Sequence, residues 1–422
     1  MIFQCLTPEA LHALAHPELS PQEWRLVEPP EGLGVHPLSA PPPAGKPVYG
    51  EAYPNHLNTE NFSINWEVGH GTAEQAERAG DALEAAWSTL VVDQGWTPPV
   101  SSDRYLLWVL LVDDIDATGF ATLYMTDDYP EGYPVVYLNS TLAGYEGYWR
   151  TLAAHEFHHT IQYALRTWAG GEDSESWYWE ASASWASVLV EPETRDLDYT
   201  VPWYGDQASL RFDSTVGSHQ YGMFVFNSWL DGLGQGPGTM QATWDLASKE
   251  ADSTWDDLIA TAVGAPPEVL WSAFSGAFGN DLGASGNAWP DPAQEALVDG
   301  IEGAAEELGA VYYQATEDVR VTIAVHAGSA GMAGPDIHSA AEIDVLDGDV
   351  VAVTAFEDGT SWTLSVADLP KEIEEEEQEE TDDEAPEPKG EAVACACASG
   401  GAESSVALLI VALSAGFRRR QT

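Results

Sequence analysis

Three side chains in one short run, His155, Glu156 and His159, have the types and spacing to bind a metal ion and use it. They lie in Thr151-Leu-Ala-Ala-His155-Glu156-Phe157-His158-His159-Thr-Ile-Gln-Tyr163, which reads as a helix. On a helix, residues four apart project from one face, one turn apart. His155 and His159 can therefore direct two imidazoles at one ion. Zinc takes two nitrogens at this spacing, needs at least one more protein ligand, and keeps a position for water. The ion lowers the pKa of that water, and the Glu156 carboxylate takes its proton as the water attacks a carbonyl. The bland alternative is a helix with surface histidines.

A second helix follows: Trp177-Tyr-Trp-Glu180-Ala-Ser-Ala-Ser-Trp185-Ala-Ser-Val-Leu-Val190. Trp177, Ala181, Trp185 and Val188 give it an apolar face, and Asp173 and Ser174 are candidate N-caps. Glu180 sits among bulky aromatics and small residues, so its carboxylate is expected to be partly buried. A buried carboxylate needs a partner, and a metal is a sufficient one. A glutamate paired at the helix surface is the competing reading. If Glu180 is not the third ligand, Glu172, Glu175 or Glu191 is the alternative.

These helices need a scaffold. Asn61 to Glu67 alternates as a strand, and Thr72 to Val92 has helical spacing with Thr72 as N-cap. Tyr105 to Val112 is continuously apolar, as a buried central strand is. Phe120 to Met125 and a short Pro134 to Leu138 complete the strands, and the motif helix spans roughly Glu146 to Leu165. The turns Asp113-Asp114-Ile-Asp116 and Asp127-Asp128 invite a calcium reading, but neither has the spacing of a calcium loop, and solvated turns suit them better.

Residues 191–218 read as a long irregular stretch with Tyr199, Trp203 and Tyr204, of the kind that lines a cleft. Helices then begin at His219, Thr239, Trp255 and Pro267. From about Leu308 the pattern changes to short strands: Val311–Tyr313, Val319–Val325, Ala341–Leu346, Val350–Ala355 and Trp362–Val366. His326 and His338 in this part read as structural or exposed. The expected class is α+β: a mixed sheet with the motif helix, a mainly helical subdomain, and a small antiparallel β-sandwich-like domain. The segments are 1–53, a Pro-rich leader or propeptide; 54–305, the site-bearing domain; 306–369, the β domain; 370–391, an acidic linker; and 392–422, a tail.

The chain has 422 residues and a formal charge of -54, from 15 Lys+Arg against 69 Asp+Glu. So acidic a surface repels phosphates, which excludes nucleic acid as a partner. With 17 Trp and 16 Tyr it can bury a substantial core. The cysteines, Cys5, Cys395 and Cys397, all lie near the ends, so no disulfide is expected inside the central domain. The N-terminus shows no basic-then-apolar signal peptide. Lys371 to Glu391 is a self-repelling Glu-rich run. After it come Cys395-Ala-Cys397, an apolar run of 12 residues from Val406 to Phe417, and Arg418-Arg-Arg420. That run is short for a stable span, which takes about 20 residues.

His155-Glu156-x-x-His159 followed by Glu180, with twenty residues between, resembles the gluzincin metallopeptidases. More narrowly, the His155–Gln162 and Trp177–Trp185 runs look like a group of secreted metalloproteases from myxobacteria-like organisms. The resemblance covers roughly residues 54–300 and implies a zincin-like domain acting on protein or peptide. It implies one catalytic zinc on His155, His159 and Glu180, and Glu156 as general base and acid. Gluzincins usually add a Tyr or His that bonds the oxyanion; Tyr221 and His219 are the candidates, in that order. His158 is outside the family's ligand pattern.

The tail resembles the MYXO-CTERM sorting signal, though Cys-Ala-Cys is a loose match. That implies export, contact of residues 406–417 with a membrane before processing, and attachment to or release from the cell surface. The visible start is then expected to lie downstream of the true one. The competing reading is a cell-surface structural or adhesion protein that binds zinc and has lost catalysis. Intact Glu156 speaks against it, because a structural site does not need that carboxylate and closes its fourth position.

Overall fold

The computed structural model of this chain describes residues 54–369, apart from 114, 116, 127–128, 166–175, 193–203, 232–236, 251–252, 281–293 and 335–340. The leader, the acidic linker and the tail lie outside the described residues. So do Glu172, Asp173, Ser174, Glu175, Tyr199, Trp203 and His338.

The first layer is a five-stranded mixed sheet in the order β1-β2-β3-β5-β4. Its strands are β1 (Asn55–Asn58), β2 (Phe62–Trp66), β3 (Leu107–Val112), β4 (Gly119–Thr126) and β5 (Tyr129–Asn139). β3 runs parallel to β2 and β5, and every one of its residues is buried, as its unbroken apolar run predicts. β4 returns antiparallel to β5 at the end of the sheet. β5 is much longer than the short strand expected at Pro134 to Leu138.

Helix α1 (Ala73–Trp87) crosses from β2 to β3. Thr72 caps it by accepting from the amide of Gln75 at 3.2 Å. Its last turn widens into a π-turn over Ser88–Asp93, where the sequence reads as plain helix. Glu84 ties α1 to the sheet by accepting from the backbone and side-chain amides of Asn61, both at 2.7 Å.

Helix α2 (Glu146–Leu165) follows β5 and packs on the sheet, α1 and α3 (Ser176–Val190). The sequence predicts an apolar face for α3, yet Trp177 through Ser187 are buried on every side. α2 is likewise buried from Thr151 through Tyr163. These two helices form the middle of the molecule, which is why their polar residues matter.

The expected helix from His219 divides into α4 (His219–Gly222) and α5 (Phe224–Leu230), at Gly222, a poor helix former, and Met223, whose ψ is -5°. α6 (Pro237–Ala247), α7 (Trp255–Val263) and α8 (Pro267–Asn280) complete the helical part. Its core is a mesh of rings, Phe226 lying 3.9 Å from Trp271 and Tyr178 4.5 Å from Trp255, centroid to centroid.

The β unit is two four-stranded sheets, β10-β12-β8-β6 and β11-β9-β13-β7. The strands are β6 (Gln294–Ala296), β7 (Ile301–Ala305), β8 (Ala310–Gln314), β9 (Val319–Ala327), β10 (Ala330–Ala333), β11 (Glu342–Val345), β12 (Val350–Ala355) and β13 (Thr360–Asp368). Two of these strands lie before residue 306, and β6 pairs with β8 in parallel, so the unit begins earlier than its sequence pattern suggests and is not wholly antiparallel. Short strands without alternation gave no sign of this. The sheets enclose Tyr313, Val321, Met332, Val351, Val353, Trp362 and Leu364. Tyr312, Val350 and Ala352 instead face α8 and join the main core. The fold is thus α+β, and among the described residues no helix is long and apolar enough to cross a membrane.

Candidate metal centre

α2 and α3 lie side by side, and this brings His155, His159 and Glu180 together. All three side chains are fully buried. The Nε2 atoms of His155 and His159 are 3.1 Å apart. Glu180 places Oε2 3.1 Å from His155 Nε2 and Oε1 3.5 Å from His159 Nε2. A tetrahedral zinc with bonds of ~2.0–2.1 Å sets its ligand atoms roughly 3.3 Å apart. The side chains fit a metal at that scale.

Protonation makes the case chemically. Gln162, one turn beyond His159, donates Nε2–H to the carbonyl of Trp179 at 3.0 Å. A carbonyl only accepts, so the amide orientation is fixed. Its Oε1 then faces His159 Nδ1 at 2.6 Å, and His159 must carry its proton on Nδ1. Nε2 of His159 therefore presents a lone pair to the centre. Ser182 supports Gln162, accepting from its amide at 2.9 Å while donating to the carbonyl of Tyr178 at 2.6 Å.

His155 has Ser184 Oγ at 3.4 Å from its Nδ1. Its Nε2 faces two acceptors, His159 Nε2 and Glu180 Oε2. One proton there satisfies only one of them; a divalent cation satisfies all three. Extra protons are not the answer. Burial lowers the pKa of His155 to about 3. Burial also lowers His159 to about 4, against the upward pull of Glu180. Both are neutral imidazoles at pH 7, the form that binds metal. Among the described residues this is the one group of three such side chains within reach of a single ion.

Glu156 is fully buried and passes beside the last strand of the sheet. A Cβ on Gly119 would lie 3.0 Å from Glu156 Oε1 and 2.9 Å from the carbonyl of Tyr137. Glycine at the head of β4 thus leaves room for the carboxylate. Tyr221 is buried with its ring 6.3 Å from that of His155. His219 packs instead against Tyr204, rings 5.4 Å apart. Of the two oxyanion candidates, Tyr221 thus has its ring near that of a ligand, and His219 has its ring near that of Tyr204.

His158 is buried too, with its edge on Trp96 at 4.9 Å, and burial pushes its pKa well down. Glu191 is engaged by Arg150 at 2.5 Å, away from the ligands. Asp113 pairs with His70, and His326 is exposed with Thr363 at 2.6 Å. Gln162 and Ser184 are the residues that sequence reasoning passed over. Their signals were present: Gln162 is three residues past one ligand, and Ser184 four past another, so each shares a helix face with it.

No family model matches the chain, and no curated protein matches it.

Proposed function

We propose that the protein is a zinc-dependent peptidase of gluzincin type with a zincin-like fold. The observation that carries the reading is the buried triangle of His155, His159 and Glu180, with Glu156, also buried, adjacent to His155 in the chain. His155, His159 and Glu180 hold the ion, and Gln162 and Ser184 orient the two imidazoles. Bound zinc supplies Lewis acidity toward a carbonyl oxygen and toward water. Glu156 takes a proton from water and returns it to the leaving amine. Tyr221 donates to the carbonyl oxygen as charge develops there, a role its place beside His155 supports. An extended peptide suits the outermost strand β4, next to Glu156, because its main chain can pair with that strand.

The full burial of the ligands favours a second reading, a metal held only for structure on a surface protein. One experiment separates the two. Full-length protein loaded with zinc is offered a general unfolded protein substrate, alongside Glu156→Gln. Cleavage lost in Glu156→Gln with zinc retained supports the peptidase; no cleavage by either protein leaves the structural metal. Export rests on residues 395–420 alone. Mass spectrometry of native protein is expected to find the Arg418–Arg420 end removed, and a cytosolic species retaining Thr422 would overturn it.

A further inference from the structure

The β unit is bonded to the stretch of chain that leads into α4. The chain from Tyr204 to Ser218 has little regular structure, yet it leads directly into α4, which carries Tyr221. A free loop of this length would not hold one ring in place. This strap is fixed along its length. The amide of Ala310 donates to the carbonyl of Ala208 at 2.6 Å, and that of Glu306 to Ser209 at 2.9 Å. At Gly309 a Cβ would lie 2.5 Å from the carbonyl oxygen of Ser209 and 2.6 Å from that of Leu210, so glycine permits the approach.

Two side-chain links reinforce it. Tyr204 places its hydroxyl 3.2 Å from that of Tyr312 on β8, while its ring packs on His219. Arg211 reaches Glu307 at 2.6 Å and Asp358 at 3.4 Å, its own amide donates to Glu306 at 2.9 Å, and Asp213 holds its guanidinium at 2.9 and 3.1 Å. The strap then closes on itself, with Gln207 packed over Gly217. Gly217 and Ser218 turn the chain into α4 with φ of 61° and 70°. Ser218 is a non-glycine residue in the left-handed region, a conformation that persists only where its surroundings hold it.

We infer that the β unit is the anchor of the Tyr221 wall: Tyr312, Gly309 and the acids around Arg211 act as positioning residues through the strap. The role given to Tyr221 rests on the peptidase reading; the anchoring does not. The test is hydrogen exchange on the full chain, comparing wild type with Tyr312→Phe and Arg211→Ala, and with kcat and KM measured alongside. Amides of 204–223 are expected to exchange about tenfold faster in each variant, with 146–165 unchanged. kcat is expected to fall with KM and zinc content unchanged, as loss of a contact made in the transition state requires. Arg211 is partly exposed, so its removal leaves the core intact should Tyr312→Phe fail to fold. Unchanged exchange over 204–223 in Arg211→Ala overturns the inference whatever the activity. Faster exchange in a protein without peptidase activity supports the anchoring and counts against the peptidase reading.

Discussion

The α2–α3 pair and the β unit bury their side chains by opposite rules. The β unit keeps its interior apolar; Thr354 and Thr360 are its buried polar residues among those described, and its one arginine, Arg320, pairs with Asp344 at the surface. The helix pair buries His155, Glu156, His158, His159, Gln162, Glu180, Ser182, Ser184 and Ser187 in the centre of the molecule. Desolvating so many polar groups is unfavourable unless each is matched. A fold does not need that arrangement, as the β unit shows, and the proposed chemistry would account for it. The difference can be broken experimentally at each kind of buried group.

The largest effect is expected at Glu156. Glu156→Gln is nearly isosteric and keeps the room beside Gly119, but cannot take a proton. Peptidase activity should fall by about 10²–10⁴-fold, the range for a lost general base. Zinc content, by atomic absorption, should stay at about one ion per chain. Activity retained in Glu156→Gln would make the buried carboxylate a packing residue and the helix pair no different in kind from the β unit.

Gln162 comes next. In Gln162→Leu the Nδ1 proton of His159 loses its acceptor, and the imidazole is free to change tautomer. Zinc affinity should weaken by about 10–100-fold, as for other residues that orient a ligand. Nitrogen NMR of metal-free protein should show His159 protonated at Nδ1 in wild type and mixed in the variant. A wild-type protein protonated at Nε2 would refute the orientation argued from the Trp179 carbonyl.

Smaller, and spread over the centre, is a pH dependence. Burial holds His155 at about 3 and His159 at about 4, below the ordinary 6.5, and holds His158 low as well. Between pH 6.5 and about 4 the unfolded chain binds protons that the fold refuses. Stability of chelator-treated protein should therefore fall as pH drops through that window and show no histidine contribution above it. Each buried imidazole is worth about 1.4 kcal/mol per pH unit. His158→Phe should flatten the slope by one proton in urea titrations at pH 7.5, 6 and 5. An unchanged slope would mean that His158 is protonated or solvated in the fold.

Much of this was legible because it is local. The run from Thr151 to Tyr163 carries its own helical spacing, and the α2 bounds follow from it. Leu107 to Val112 shows its central position by having no polar residue. The burial of Glu180 was legible from its aromatic company, and a buried carboxylate needs a partner. What stayed hidden depends on pairing between distant segments. Nothing in Gln294–Ala296 announces β6, which exists because Tyr312 to Gln314 lies alongside. The strap around Arg211 reads as loop, and contacts with distant residues such as Glu306, Glu307 and Asp358 give it order. The tautomer of His159 needed the Trp179 carbonyl, a group present in every residue and visible only once α3 is in place.

The smallest effect should come from the best-formed ion pair of the β unit. Arg320 on β9 faces Asp344 on β11 through two bonds, Nε to Oδ1 at 2.6 Å and Nη2 to Oδ2 at 2.9 Å. By distance alone it rivals the Glu180–His155 contact at 3.1 Å. The bond raises the guanidinium pKa and lowers that of the carboxyl, as a well-aligned pair should. Both partners are exposed, however, and water and salt screen what the geometry offers, while the long arginine side chain loses freedom in keeping it. Arg320→Ala is therefore expected to leave Tm unchanged within error, in low salt and in 1 M salt, a condition where the Debye length is about 3 Å. On the zinc reading, Glu180→Ala should lower metal content and lower Tm sharply in zinc-containing buffer, where an ion bound to the wild type would stabilise it. If instead the two variants lost the same Tm, surroundings would not be what distinguishes the regions, and the case for a functional centre would rest on the His155–His159 spacing alone.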